Sequence, residues 1–312
     1  MRIASLLPSA TEIVCALGLG DALVARSHEC DFPAGVDRLP AVTRARIDVA
    51  GSSREIHDRV TEVSLSADGV YEIDRRRLRE LAPTHVITQA QCDVCAVSLD
   101  DVEHALRDWG SDPPRLIALH PSGLESVFKD IRAAGDFLAA RGKADAVEGS
   151  MRERMESVCR MATISTSGTP TPKPRVAAIE WLDPPMAAGN WIPELIELAG
   201  GNPVVGSRGR HSAWLSPEDL AAADPDILIA MPCGFDLVRT SAELVGILAR
   251  PFWGSLRAVR SGRIAACDGN AFFNRPGPRL SESVEILAEI LHPGRFPPLH
   301  RGTAWETAGV PR

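Results

Sequence analysis

The sequence predicts an α/β fold of two Rossmann-like lobes with parallel sheets, joined by a long rigid helix. Short apolar runs alternate with amphipathic segments in both halves of the chain, which is the pattern of a parallel sheet covered by helices. The stretch between the two halves is helical throughout. At 312 residues, the chain also exceeds the size at which a single core usually stops growing, which favours two lobes.

The first lobe is predicted at residues 1–121. Its strands are the apolar runs at 2–7, 22–27, 85–89 and 115–119. Pro8 interrupts the first run, and Ser9 and Glu12 have the spacing of a capping box for the helix that follows. The order of strand, helix and strand indicates a parallel sheet.

The linking helix is predicted at 122–162, where Ser122 and Glu125 form another capping box. The second lobe follows at 163–292. Its strands are predicted at 175–181, 226–232 and 263–267, and its helices at 191–201 and 280–292. The tail at 293–312 is rich in Pro and Gly and is predicted to be irregular.

Charge and composition exclude several classes of partner. The formal net charge is -7 and no Lys or Arg run interleaves with aromatic residues, so nucleic acid is not an expected partner. No apolar run reaches the roughly 18 residues of a spanning helix, so membrane insertion is not expected. The N-terminus reaches Pro8 before an apolar segment forms, unlike a signal peptide. The sequence therefore predicts a cytoplasmic protein, or a periplasmic one if the chain has been trimmed.

Four of the seven cysteines follow predicted strands, on the side of the sheets where ligand sites form. They are Cys30, Cys92, Cys95 and Cys233. Thiolates from separate loops repel one another unless a metal neutralises them, so this set is a candidate site for zinc or an iron-sulfur cluster, with His28 as a substitute ligand. Two other interpretations remain open: a redox pair at Cys92 and Cys95, and thiols that only line a ligand pocket.

The few aromatic residues concentrate in the loops of the second lobe. Trp181 ends a predicted strand, and Trp191, Phe235, Phe272 and Phe273 follow predicted strands. As a set they predict a flat apolar ligand, whereas each one alone is explained by core packing.

Several longer motifs occur in a fixed order along the chain. They are "RIASLLPSATEIVCALGLGDALVARSHECDFP", "PTHVITQAQC", the linking helix, "EWLDPPMAAGNWIPELIELAGGNP" and "DGNAFFNRPGPRL". In these motifs the chain resembles the helical-backbone, class III substrate-binding proteins of metal-chelate ABC importers, over about residues 1–292. It is most similar to the cobalamin-binding members of that family.

The resemblance implies a binding protein for a cobalamin-like corrinoid or another metal-containing ligand, held in the cleft between two lobes, rather than an enzyme. Together with the loop aromatics, the matched positions give the candidate ligand contacts: Pro8, Ser9, His28, Glu29, Asp31, Gln89, Gln91, Trp181, Trp191, Gly234, Phe235, Asn270, Phe272 and Phe273.

The family resemblance also has a consequence for the partner protein, an ABC permease. Its importer proteins carry a signal or lipid anchor and present an acidic residue on each lobe to the permease, but the second-lobe position after the aromatic pair is Asn274. Docking on an ABC permease is therefore not expected. The alternative function is a cytoplasmic protein that binds zinc or an iron-sulfur cluster through its cysteines. If that protein were an enzyme, Glu29, Asp31 and Asp93 would be its candidates for proton transfer.

Overall fold

The computed structural model describes residues 1–65, 69–90, 96–107, 109–163 and 172–309. The chain divides into two compact units. The first unit comprises Met1–Gly51, Glu55–Pro121 and Glu125–Gly149, and the second comprises Ser52–Arg54, Ser122–Leu124 and Ser150–Arg312. Across the described ranges, no helix combines the length and the apolar character that a bilayer crossing requires.

The first half of the chain alternates short strands with helices. The strands are β1 (Ile3–Ser5), β2 (Leu23–Arg26), β3 (Thr43–Ala45), β4 (Tyr71–Ile73), β5 (His85–Gln89) and β6 (Arg115–Leu119). The helices are α1 (Pro8–Ala16), α2 (Ser53–Leu65), α3 (Arg75–Glu80), α4 (Leu99–Arg107), α5 (Leu124–Phe137) and α6 (Arg141–Thr163).

The main sheet of the first unit has four parallel strands in the order β2-β1-β5-β6. All four were predicted, and β5 and β6 match the predicted runs residue for residue. Every residue of β1 is buried, and a strand buried on both faces needs helices to cover it. Leu78 of α3 and Val102 of α4 belong to the same core cluster as Ala4 and Val86. Strands β3 and β4 form a separate antiparallel pair that was not predicted.

The second half of the chain builds a larger mixed sheet. Its strands are β7 (Arg175–Leu182), β8 (Pro185–Ala187), β9 (Asn202–Pro203), β10 (Ala213–Trp214), β11 (Ile227–Ala230), β12 (Ile264–Cys267) and β13 (Trp305–Thr307). Its helices are α7 (Ile192–Leu198), α8 (Pro217–Ala223), α9 (Leu237–Leu248), α10 (Pro251–Ser255), α11 (Arg257–Arg260) and α12 (Leu280–Leu291).

The centre of this sheet is parallel, as predicted, with β11 between β7 and β12. The flanking strands β8, β10 and β13 pair antiparallel and were not predicted. Its core cluster joins Ile179, Leu228 and Ile264 of the sheet to Leu244 of α9. The α/β class is therefore confirmed.

The prediction of one continuous linking helix is wrong, because the segment is two helices, α5 and α6. The chain leaves the helical conformation at Ala139, where φ is +55°. The amide of Ala140 then bonds the carbonyl of Gly135 at 2.7 Å. A Cβ atom on Gly135 would lie 2.5 Å from the Cβ of Ala144, so this glycine allows α5 and α6 to pack closely at the turn.

The tail predicted to be irregular contains β13, which pairs with β12. Glu289 of α12 is 5% exposed and anchors this segment. Its carboxylate accepts the indole N–H of Trp305 at 2.7 Å and the backbone N–H of His300 at 3.0 Å. The prediction failed here because the anchoring carboxylate lies in another element.

A half-buried carboxyl group lies beside the end of β6. Asp130 of α5 accepts the backbone N–H of His120 at 3.0 Å. Burial raises the pKa of Asp130 from its ordinary 3.8 to about 6, against the lowering effect of that hydrogen bond. Because the folded pKa is raised, this group stabilises the fold most below its unfolded pKa, and the contribution is lost as the pH rises through about 6.

We therefore expect Asp130→Asn to flatten the pH dependence of stability. The asparagine oxygen can still accept from His120, but it does not ionise. Between about pH 4 and pH 7, the wild type should lose roughly 1–2 kcal/mol of unfolding free energy relative to the variant, allowing for partial solvent screening. Urea unfolding of both proteins across this range measures the difference. Parallel curves would show that Asp130 does not titrate with a raised pKa.

Candidate functional site

The first candidate contacts lie where β1 turns into α1. The helix begins at Pro8, and its N-cap Leu7 makes no side-chain cap bond. The predicted capping box is therefore wrong, since Ser9 and Glu12 already lie inside the helix and are only 2% and 3% exposed. A helix with proline in its first turn has one fewer backbone N–H for a cap to satisfy, because proline has no N–H. Ser9 thus offers little side-chain surface to a ligand.

Cys30 belongs to a buried polar cluster in the first unit. Its Sγ lies 3.1 Å from Oγ1 of Thr11, which donates to Oγ of Ser5 at 2.8 Å. Since the single hydroxyl proton of Thr11 goes to Ser5, the thiol is the donor to Thr11. Cys30 is 2% exposed. A buried, protonated thiol is a packing group, in contrast to the thiolate that metal binding requires.

His28 lies beside this cluster and is held by Thr43 of β3. The Nδ1 atom of His28 lies 2.8 Å from Oγ1 of Thr43, which also accepts the backbone N–H of His28 at 3.0 Å. The same hydroxyl donates to Oγ of Ser27 at 3.0 Å. Burial, and then the positive charge of Arg26, lower the pKa of His28. The imidazole is therefore neutral over a wider pH range than a free histidine.

The remaining candidates of the first unit surround His28 or follow β5. Tyr71 donates its hydroxyl to Oε1 of Glu29 at 3.1 Å, and its ring centroid lies 5.4 Å from that of His28. Asp31 is exposed, whereas Gln89 is 7% exposed. The candidates Gln91, Cys92, Asp93 and Cys95 lie outside the described residues.

In the second unit, the loops after β11 and β12 are bound tightly to each other. The amide of Asn270 donates to the carbonyl of Phe235 at 3.1 Å. Nδ2 of Asn274 donates to the carbonyl of Met231 at 3.0 Å. Gly269 begins a π-helical turn in the loop after β12. A Cβ atom on Gly269 would lie 2.2 Å from the carbonyl oxygen of Pro232 in the loop after β11. π-helical turns often mark functional sites, and this one contains three candidate contacts, Asn270, Phe272 and Phe273.

The loop aromatics of the second unit separate into buried and accessible groups. Phe235, Phe273 and Trp191 are 1%, 0% and 5% exposed. The indole N–H of Trp191 donates to the carbonyl of Phe273 at 2.9 Å. Core packing explains these three side chains, so their role as ligand contacts stays a prediction. Trp181 and Phe272 are half-buried and remain partly accessible.

Trp181 is positioned by two contacts. Its ring centroid lies 5.5 Å from that of Phe235 in an edge-to-face arrangement, and its indole N–H donates to the carbonyl of Ser53 at 3.2 Å. The guanidinium of Arg239 covers the ring of Phe235 at 3.7 Å. These contacts fix the orientation of an aromatic side chain at the end of β7.

The four-cysteine site stays a prediction. Cys233 is half-buried at the end of β11, next to the exposed Gly234, and belongs to the second unit, whereas Cys30 belongs to the first. Within the described part of the chain, no group of three or more His, Cys, Asp and Glu side chains is placed to hold a metal ion.

Sequence reasoning missed several residues near the strand ends. Thr43 and Tyr71 lie in the unpredicted strands β3 and β4, and no motif marks them. In the second unit, Asp183 is bound by Arg54 and Arg250. Burial acts to raise the pKa of Asp183, but hydrogen bonds from these arginines outweigh burial and lower it. The aspartate lies in the quoted "WLDPP" motif, but its arginine partners are remote in sequence.

The family model of the periplasmic binding proteins matches residues 3–271, which is most of the chain. The chain belongs to the periplasmic binding protein family. A curated relative is the uncharacterized ABC transporter substrate-binding lipoprotein YvrC of Bacillus subtilis. It is 23% identical over 302 residues, which cover 95% of this chain and 81% of the relative.

Two solved structures share the fold of this periplasmic binding protein. A periplasmic heme-binding protein from Pseudomonas aeruginosa matches with a TM-score of 0.70 and 21% identity, over 94% of this chain and 93% of that one. The periplasmic vitamin B12 binding protein BtuF of Vibrio cholerae matches with a TM-score of 0.64 and 21% identity, over 93% of this chain and 96% of that one.

Membership in this family corrects the predicted location. The prediction of a cytoplasmic protein is wrong, because the matched family consists of periplasmic binding proteins and the Bacillus relative is a lipoprotein. That prediction rested on the first few residues, whereas the family match extends through both units. The expectation that no ABC permease is a partner also conflicts with the name of the relative, which is an ABC transporter substrate-binding protein.

We expect Gly269→Ala to destabilise this periplasmic binding protein. The new Cβ would lie 2.2 Å from a backbone oxygen and 2.5 Å from a backbone carbon, so the two loops must separate. A loss of about 2 kcal/mol or more is typical of such overpacking. Gly246→Ala is the matched control, because a Cβ at that position in α9 meets nothing within 4 Å. Equal urea midpoints for the two variants would contradict the close approach.

We also expect the cysteines to differ in reactivity. Burial, and then the charge of Asp268, raise the pKa of Cys267 far above its ordinary value, and Cys30 is equally enclosed. Brief alkylation of the native protein at about pH 8 should therefore label Cys233, while Cys30 and Cys267 are labelled only after unfolding. Peptide mass spectrometry with two isotopic reagents measures both steps. Labelling of native Cys30 at the rate of Cys233 would contradict its placement.

Proposed function

We propose that this chain is the solute-binding component of an importer for a metal-containing tetrapyrrole, and that its cargo is a cobalamin-like corrinoid. One observation carries the proposal. Two structures that share the fold over more than nine-tenths of this chain are named for heme and for vitamin B12, which are both metal-containing tetrapyrroles. The sequence motifs independently resemble those of the cobalamin-binding members.

The accessible side chains at the strand ends suit a ligand of this class. Trp181 and Phe272 provide aromatic surface in the second unit, which favours a broad, flat molecule. His28 provides a neutral imidazole in the first unit, and imidazole is a common ligand of iron and cobalt. A permease is the inferred partner, because the named Bacillus relative is part of an ABC transporter.

Titration of the purified protein tests the proposal. Aquocobalamin, diaquocobinamide, hemin and metal-free protoporphyrin IX should be compared by quenching of tryptophan fluorescence and by calorimetry. We expect saturable one-to-one binding of a corrinoid, because the motifs match corrinoid binders. Binding of hemin alone would contradict the corrinoid assignment, and no saturable binding of any tetrapyrrole would contradict the function itself.

A further inference from the structure

We propose that Nε2 of His28 is the axial ligand of the metal ion in the bound tetrapyrrole, and that Thr43 is the residue that positions the ring. This inference rests on the proposed function and extends it, because it names the mode of recognition. It also restricts the cargo to tetrapyrroles whose metal has an open axial position or one occupied by a displaceable ligand such as water.

The hydrogen bonds of Thr43 determine the tautomer of His28. A hydroxyl group has one proton and accepts through two lone pairs. Oγ1 of Thr43 donates its proton to Ser27 and accepts the backbone N–H of His28. The remaining lone pair faces Nδ1 of His28 at 2.8 Å, so Nδ1 carries the proton and donates it. Nε2 therefore keeps the lone pair that a metal requires.

The two hydroxyl groups that support His28 are buried. Thr43 and Ser27 are 7% and 3% exposed, so both hydroxyls are shielded from competing water. Metal-binding histidines usually donate their second ring N–H to a fixed acceptor, which sets the orientation of the ring. Thr43 provides that acceptor. Among the described residues, no hydrogen bond reaches Nε2, so an incoming metal would displace no such partner of this atom.

Two neighbouring groups are poorer axial ligands. Tyr71 donates its hydroxyl to the carboxylate of Glu29 at 3.1 Å, so a phenolate at that position would face a second negative charge. The thiol of Cys30 is 2% exposed and bonded to Thr11. The phenol is held by a carboxylate and the thiol is enclosed in the protein, so Nε2 of His28 is the better placed of the three ligands.

The test uses the full chain loaded with hemin or diaquocobinamide, whose metals accept an axial nitrogen. For the wild type, the visible spectra of both complexes and the electron paramagnetic resonance spectrum of the hemin complex should show nitrogen ligation. His28→Ala should lose this signature and bind at least tenfold more weakly, and added imidazole should restore the spectrum. Thr43→Val should keep the signature with about tenfold weaker binding, because the ring is no longer oriented.

Matched variants separate ligation from folding. Tyr71→Phe keeps the ring beside His28, and His120→Ala removes an exposed histidine of the same unit, so both should keep the wild-type spectrum. His28→Gln retains a side chain that can bond Thr43 and should fold like the wild type while lacking the axial signature. Circular dichroism and urea unfolding verify the fold of each variant.

The outcomes are distinguishable. If the wild type binds a tetrapyrrole and His28→Gln binds it with an unchanged spectrum, the axial role is wrong while the proposed function stands. Loss of the signature in Tyr71→Phe alone, or a thiolate-type spectrum, would also overturn the role of His28. If the wild type binds no tetrapyrrole, both the proposed function and this inference fail.

Discussion

Parallel pairing of buried strands is the constraint on which the rest of the structure depends. β1 lies between β2 and β5, and β11 lies between β7 and β12, and each of these central strands is buried along its whole length. A buried backbone must satisfy its amides and carbonyls within the sheet, and parallel neighbours require a crossover after every strand. The loops that follow the strands therefore emerge at one edge of each sheet, where His28 and the turn at Gly269 are found.

Much of this framework could be predicted from sequence, because buried parallel strands are short apolar runs. His85–Gln89 and Arg115–Leu119 were predicted without error, and the strand at Arg175–Leu182 differs by one residue. The unpredicted strands are two or three residues long, and most include polar or proline residues, as at Pro185–Ala187 and Thr43–Ala45. Their pairing depends on partners that a local pattern does not reveal.

The candidate site was less accessible to sequence reasoning. The motifs placed His28 among the candidate contacts, but the tautomer of its ring depends on Thr43, a residue fifteen positions away in an unpredicted strand. The strand-end rule also placed Cys30 after the strand Leu23–Arg26, where it lies, but its burial against Thr11 depends on packing. Likewise, the sequence shows that Phe235 and Phe273 lie in loops, whereas only the three-dimensional contacts show that both are core residues.

The strand at Trp305–Thr307 gives the C-terminal segment a protective role. It covers the flank of Ile264–Cys267, whose residues are all buried. An apolar strand with a free edge is a template for pairing with other chains, and natural proteins cover such edges. The carboxylate of Glu289 keeps the cover in place by binding the indole of Trp305. Trp305–Thr307 thus shields the edge of Ile264–Cys267 from pairing with another chain, independently of any ligand.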